Sequence, residues 1–142
     1  MPDHRNIPIQ KVGVRNVRYP ITVLDKNHRT QQTVATIDLY ADLPHSDKGT
    51  HMSRFIEVFN NHADNIKMPH FLKMLQEVRE RLEAERAFGM LRFPYFVEKQ
   101  APVSGQQSMM GYDCAFSGSA GADREEFFVS VTVPVTTVCP CS

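Results

Sequence analysis

Hydrophobic residues recur at every second position in two stretches near the start of the chain. The first, "VRYPITVLD", contains Pro20, which favours an edge position or a bulge over a central strand. The polar turn "KNHRTQQ" leads into the second, "TVATIDLYADL", in which Thr36 and Asp38 fall on the polar face. We therefore expect a hairpin with one buried face. Its apolar positions are Val17, Tyr19, Ile21, Val23, Ala35, Ile37, Leu39 and Ala41.

The hydrophobic period then becomes helical. The pattern predicts one helix behind a cap at Thr50 and a second that begins at Pro69, a residue favoured in the first turn. Glu77 and Arg81 form an i,i+4 pair on the second helix, and Gly89 supplies its stop. The apolar stripes of the two helices are Met52, Phe55, Ile56 and Phe59, and then Phe71, Leu72, Leu75, Val78 and Leu82.

Two-residue alternation returns in the last third of the chain. It runs through "MLRFPYFVEK" and "MMGYDCAFSG" and, after the turn "SGSAGADREE", through a final strand. The alternating apolar residues are Leu91, Phe93, Tyr95 and Val97, then Met110, Tyr112, Cys114 and Phe116, then Phe127, Val129, Val131, Val133 and Val135.

This order of elements, strand-strand-helix-helix followed by two or three strands, predicts an α+β fold: an antiparallel sheet with both helices on one face. The 142 residues suffice for one domain, so we expect a single module over 1–142 with an extended N-terminal arm over 1–11. Phe96 and Phe128 place aromatic side chains on the second face of the later strands, and the edges of the predicted sheet are unpaired. We therefore expect another copy or domain to continue or cover the sheet, as in a homo-oligomer.

Composition narrows the class of protein. Hydrophobic residues make up 42% and charged residues 23%, as in soluble globular proteins. The 16 basic and 16 acidic residues balance, so the net charge does not point to nucleic acid or to an anionic membrane. We see no signal peptide or membrane-length apolar run, and three cysteines fit a reducing compartment, so we expect a cytoplasmic protein.

Two of the cysteines fall at the end of the sequence, in "VPVTTVCPCS". Cys139 and Cys141 are too close to bridge without strain, so a metal or catalytic role competes with an idle thiol. The spacing leaves both readings open, because one C-x-C pair does not complete a four-ligand shell. Cys114, by contrast, alternates with apolar neighbours and is expected to behave as a small hydrophobe.

A second candidate site lies at the start of the first helix, in "KGTHMSRF". Free backbone N–H groups there favour an anion such as a phosphate, with an ordinary capped helix start as the alternative. The remaining histidines show no ligand spacing and are expected at the surface: His4, His28, His45, His62 and His70.

The segment "EKQAPVSG" contains Glu98, Lys99, Ser104 and Gly105, and we expect it to turn the chain rather than bind a ligand. The sequence contains no Walker-type glycine loop, no G-x-S-x-G elbow and no dinucleotide fingerprint. The commonest nucleotide-binding and hydrolase folds therefore have no support.

Four motifs in order give the chain a family resemblance: "RNIPIQKVGVRNVRYPI", "KGTHMSRF", "APVSG" and "VPVTTVCPCS". Together, from about Arg5 to Ser142, they resemble the N-terminal half of a type IB GTP cyclohydrolase. The resemblance implies a tunnelling fold, in which sheet-plus-two-helix modules are duplicated within a subunit. Subunits assemble into an oligomeric barrel with active sites between them.

The implied reaction converts GTP to 7,8-dihydroneopterin triphosphate and formate, the first step towards tetrahydrofolate. In it, a water activated on a divalent metal, zinc, manganese or iron, adds at C8 of guanine. The imidazole ring then opens and loses formate, and the ribose rearranges and recloses as the pterin. The metal supplies Lewis acidity and lowers the pKa of its water.

The resemblance also assigns residues. Cys139 matches the family's metal-binding cysteine, and Cys141 matches the second cysteine of the pair. His51 is implied close to the site with a catalytic role, and the chemistry of the block makes Thr50, His51, Ser53 and Arg54 candidates for binding GTP and its triphosphate.

The sequence ends at Ser142, where the family continues for a second module of comparable length. That module is expected to supply the remaining histidine and glutamate ligands and the glutamate that anchors the purine. We therefore expect this stretch alone to have an incomplete metal site and to be inactive. A non-catalytic tunnelling-fold module that forms oligomers and binds a purine or pterin is the alternative, and nucleic-acid binding is a distant third.

Overall fold

The fold is a five-stranded antiparallel sheet with two helices, seen in a computed structural model that describes residues 9–25, 29–44, 52–64 and 67–139. The strands lie side by side in chain order, which confirms the predicted α+β class. In chain order the elements are β1 (Ile9–Leu24), β2 (Thr30–Pro44), α1 (Met52–His62), α2 (Met68–Arg81), β3 (Arg86–Gln100), β4 (Gln107–Gly121) and β5 (Glu125–Thr132).

The two ends of the sheet differ in what closes them. The turns of the β1–β2 and β3–β4 hairpins lie at one end, here called the tip end; Pro44, Arg86 and Gly121 lie at the other, the base end. The N–H of Thr22 donates to Ala63 after α1, and the N–H of Glu85 donates to Asp42 after α2. Helix α1 therefore runs towards the tip end, and α2 returns towards the base end.

Both helices bury their apolar stripes against one face of the sheet. The predicted Phe55, Phe59, Phe71, Leu75 and Val78 are each at most 1% exposed. The strands contribute the predicted alternating residues, whose burial removes them from water and provides the main driving force for folding. On the two helices, the sequence patterns did not predict two core residues, Val58 and Met74, whereas Ile56 and Leu72 are only partly buried.

Strand β1 is an edge strand, as Pro20 predicted. Its bulge lies earlier, between Val14 and Val17, where Asn16 adopts a φ of 56°. Asp38 faces away from the helices and is nevertheless buried. Its carboxylate accepts the Asn16 N–H at 2.8 Å and pairs with Arg92 at 3.5 Å, and these contacts offset the cost of burying the charge. Residues 9–11 of the expected N-terminal arm belong to β1, and residues 1–8 lie outside the described residues.

The sheet divides into two hairpins towards the tip end. The β2–β3 ladder pairs Thr36–Asp42 with Arg86–Arg92 and stops before Pro94, which has no N–H to donate. Side chains bridge the gap: Thr33 Oγ1 donates to the Pro94 carbonyl at 2.7 Å. The Gln31 amide donates to the Phe96 carbonyl at 2.9 Å and accepts its N–H at 2.8 Å. We call this side-chain-bridged line between β2 and β3 the seam.

The prediction that Gly89 stops the second helix is wrong. Helix α2 ends at Arg81, and Glu83, with a φ of 51°, reverses the chain while the Ala84 N–H donates to the Arg79 carbonyl at 2.8 Å. Gly89 lies inside β3, where a Cβ would come within 2.7 Å of Leu75 Cδ2. The glycine lets the helix approach the sheet closely.

The predicted turn "SGSAGADREE" is also shorter than expected. Residues 117–121 belong to β4, which pairs along its whole length with β3. Only residues 122–124 separate β4 from β5. The described residues therefore contain three strands after the helices.

We predict that Gly89→Ala lowers the free energy of unfolding by about 1–3 kcal/mol, because the added methyl group overpacks a contact with the fully buried Leu75. Gly111→Ala is the matched control in the neighbouring strand, where the nearest atom belongs to the half-exposed Phe96 ring, which has room to move. Chemical denaturation of both variants measures the difference. Equal stabilities would contradict the close-approach role of Gly89.

Candidate active site

The cysteine candidate lies beyond the last strand. Strand β5 ends at Thr132, and residues 133–139 belong to no helix or strand. Cys139 is exposed near the end of this tail. Cys141 lies outside the described residues, so its predicted place beside Cys139 stays a prediction.

The anion-binding candidate lies at the start of α1. Ser53 and Arg54 are both exposed, and Arg54 Nη1 donates to the Arg81 carbonyl at 3.1 Å, at the end of α2. A cation at a helix C-terminus is favoured by the helix dipole, so Arg54 also has a structural contact. Thr50 and His51 lie outside the described residues.

The structure shows no direct contact between these two candidate groups among the described residues. Arg54 contacts the end of α2 at the base end, whereas β5 leads the chain away from the base end to the middle of β4, where Thr132 pairs with Asp113. The eight residues of β5 alone span about 26 Å at the usual rise of about 3.3 Å per residue. Strand β5 therefore carries the chain away from Ser53 and Arg54 before it reaches Cys139.

The described residues supply few donors for a metal. No cluster of three or more His, Cys, Asp or Glu side chains with metal-binding geometry occurs among them. Cys139 fits as one thiolate ligand, which suits zinc or iron better than manganese. The fit is therefore that of a single ligand, and the rest of a coordination shell has to come from elsewhere.

Cys114 occupies the structural setting predicted for it. It is partly buried and packs against the hydrophobic core. Burial raises the pKa of the Cys114 thiol, and the neighbouring Asp113 carboxylate raises it further. A thiol held protonated in this way is a poor nucleophile and a poor metal ligand.

Cys114 also lines an apolar groove that sequence reasoning missed. We call it the tip groove, a cavity of about 580 Å³ on the helix side of the sheet beyond the two helices. The available signal was the length of the apolar alternation in β3 and β4, which exceeds what two short helices cover. The lining residues are Val23, Leu24, Lys67, Phe93, Tyr95, Val97, Tyr112, Cys114, Phe116, Val129, Val131 and Val133.

The expectation that the histidines lie at the surface is wrong for His62. Its ring is largely buried, and Nε2 lies 2.8 Å from a carboxylate oxygen of Glu77, so the pair joins α1 to α2. Glu77 also pairs with Arg81 at 3.1 Å, the predicted i,i+4 contact. His70 is partly buried too, while His4, His28 and His45 lie outside the described residues.

The segment after β3 turns the chain, as predicted, but Glu98 and Lys99 of the predicted turn still belong to β3. Gly105 adopts a φ of 70°, and its N–H donates to the Ala101 carbonyl at 3.0 Å. The Gln106 N–H reaches the Ser104 hydroxyl oxygen at 3.3 Å.

Within the described part of the chain, neither helix has the length and apolar character needed to cross a membrane.

We predict that iodoacetamide labels Cys139 at least about tenfold faster than Cys114 at pH 7.5, because Cys139 is exposed, whereas burial and the Asp113 carboxylate raise the pKa of the Cys114 thiol and burial shields its sulfur. Peptide mass spectrometry after short pulses measures both rates, and labelling in guanidinium chloride should equalise them. Asp113→Asn should speed Cys114 alone. Similar native rates at the two thiols would contradict the buried setting of Cys114.

Comparison with known proteins identifies the family. A family model described as type I GTP cyclohydrolase folE2 matches residues 1–142. The chain is 56% identical over 142 residues to GTP cyclohydrolase FolE2 of Syntrophus aciditrophicus, covering 100% of this chain and 56% of that relative. It is 50% identical over 141 residues to GTP cyclohydrolase FolE2 of Pelobacter propionicus, covering 99% of this chain and 54% of the relative. The chain thus spans about half the length of these relatives, and it belongs to the type I GTP cyclohydrolase FolE2 family.

Proposed function

We propose that this chain forms part of a GTP cyclohydrolase that converts GTP to 7,8-dihydroneopterin triphosphate and formate, the first step of tetrahydrofolate synthesis. The family match over all 142 residues carries the proposal, supported by 56% identity to a relative named GTP cyclohydrolase FolE2. Because those relatives are nearly twice as long, the proposal concerns a protein with their full length.

Cys139 is the residue of this chain that we assign to a divalent metal, zinc, manganese or iron, with Cys141 as a second candidate. An exposed thiol on an extended tail is accessible to ligands contributed by other parts of the protein. When bound, such a metal supplies Lewis acidity and a water of lowered pKa. The other ligands come from outside the residues described here.

The start of α1 is our candidate for holding the triphosphate of GTP. Ser53 and Arg54 are exposed residues of the first turn of α1, and the N–H groups of a first helical turn favour phosphate oxygens. Thr50 and His51 precede them in sequence, and we retain His51 as a catalytic candidate.

A site that uses both groups has to combine two copies of the module. Within one module β5 separates the start of α1 from the beginning of the Cys139 tail by about half of the sheet length. The two groups can meet if one module contributes its metal ligand and a neighbouring module contributes its phosphate contacts. We therefore propose a homo-oligomer with active sites between subunits, working in the cytoplasm on GTP, without nucleic-acid or membrane partners.

We predict that Cys139→Ala in the full-length protein lowers bound metal and formate release from GTP together, each by more than about tenfold, since a lost ligand weakens metal binding. Elemental analysis measures the metal, and a formate assay measures turnover. The control is Cys114→Ala, which should retain metal but unfold at lower denaturant concentration, because it leaves a cavity next to the core. Normal metal content in Cys139→Ala would overturn the ligand assignment, and a wild-type protein loaded with zinc, manganese or iron that releases no formate would overturn the activity.

We predict that Arg54→Gln raises the KM for GTP about tenfold with a smaller change in kcat, because a charge-assisted contact to the triphosphate is worth about 1.4 kcal/mol or more. Its contact with Arg81 predicts a separate loss of about 1 kcal/mol in unfolding free energy. Arg79→Gln is the control: it removes another arginine with a side-chain partner, Gln76, on α2. A loss of stability with an unchanged KM would leave Arg54 with only its structural role.

A further inference from the structure

Only about half of the outer edge of β4 pairs with β5. Strand β4 pairs with β3 along all of Gln107–Gly121, but β5 pairs only with Asp113–Ala120. Residues 107–112 therefore present ladder groups that have no strand partner among the described residues. An open edge of this length normally pairs or is protected by charge.

The tail that follows β5 has the composition of a strand. Val133, Val135 and Val138 are 54%, 83% and 83% exposed, although nothing in 133–138 is charged. Val133 already lines the tip groove, beside the open edge of β4. An apolar, uncharged segment thus leaves the sheet beside an open, apolar binding surface.

We propose that residues 133–138 of the same chain dock on this surface, continuing β5 along the open edge of β4 and closing the side of the tip groove. The existing ladder fixes the register, because Cys114 pairs with Val131 and Asp113 pairs with Thr132. Continuation places Val133 opposite Tyr112 and Val135 opposite Met110, and ends with Val138 opposite Gln107.

The two faces of the extended strand match their surroundings. Side chains alternate between faces, so Val133 and Val135 follow Val129 and Val131 on the groove side. On the opposite face Pro134 lies beside Gly111, against which the Phe96 ring rests 3.2 Å from the position of a Cβ. The docked proline covers part of the Phe96 ring, which is otherwise 41% exposed.

Pro134 is compatible with this arrangement. A proline removes one donor and is tolerated in a strand at the edge of a sheet, and β5 is the last strand of the described sheet. The docked segment holds Cys139 next to Gln106, at the turn of the β3–β4 hairpin, whether or not Cys139 binds a metal.

Hydrogen exchange of the 142-residue chain, read by mass spectrometry, tests the proposal. Docking slows exchange of the 133–139 peptide by at least about tenfold relative to an unstructured chain and gives full protection to 107–112. Tail amides that exchange as in an unstructured peptide would overturn the proposal. Protection of 107–112 without protection of the tail would also overturn it, because a strand from another molecule would then occupy the edge.

Two matched variants separate docking from general effects. Val135→Asp places a carboxylate in the apolar groove, so exchange of 107–112 and 133–139 should accelerate about tenfold while the β4–β5 pairs at 113–120 stay protected. Thr136→Asp carries the same charge on the opposite face and should change exchange less than about twofold. Equal effects of the two variants would contradict the predicted facing of the segment.

Discussion

Two helices of 11 and 14 residues have to cover strands of 15 residues, and they cannot. A helix rises about 1.5 Å per residue and a strand about 3.3 Å, so α2 spans about 21 Å of a strand that runs for about 50 Å. On β3 and β4 the helices therefore cover mainly the base half, where Leu75 meets Gly89. The tip groove lies where these two strands extend beyond the helices.

The tip half is consequently where the chain departs from regular structure. The ladder between β2 and β3 ends before Pro94, β5 ends before β4 does, and the tip groove opens on the face that the helices leave free. The family to which the chain belongs has proteins almost twice as long. A surface of this kind is well suited to an assembly in which neighbouring parts complete one another.

Local patterns predicted the fold class and most of the core, because periodicity records which face of an element is buried. They failed at Gly89, where a rule about helix ends competed with a tertiary contact to Leu75 that the sequence does not display. The partner of Arg54 lies 27 residues away, and no local pattern reveals it. Cys139 was selected because three other motifs accompany it, since the C-x-C spacing alone is weak evidence for a metal site. The tip groove was missed although most of its lining residues were predicted as apolar strand positions, because the length of the strands was not compared with the length of the two helices.

The hydrogen bonds of Gln31 across the seam affect the rate of unfolding. Each hairpin joins residues close in sequence, but Gln31 and Phe96 are 65 residues apart, and both helices lie between them. Joining the two hairpins therefore closes a loop that contains both helices. The entropic cost of closing this loop is offset only when the helices bury their apolar stripes against the sheet. Two side-chain hydrogen bonds formed late add little to the speed of folding but slow its reversal, because contacts absent from the transition state chiefly lower the unfolding rate. The hydrogen bonds of the seam therefore slow the unfolding of the folded module.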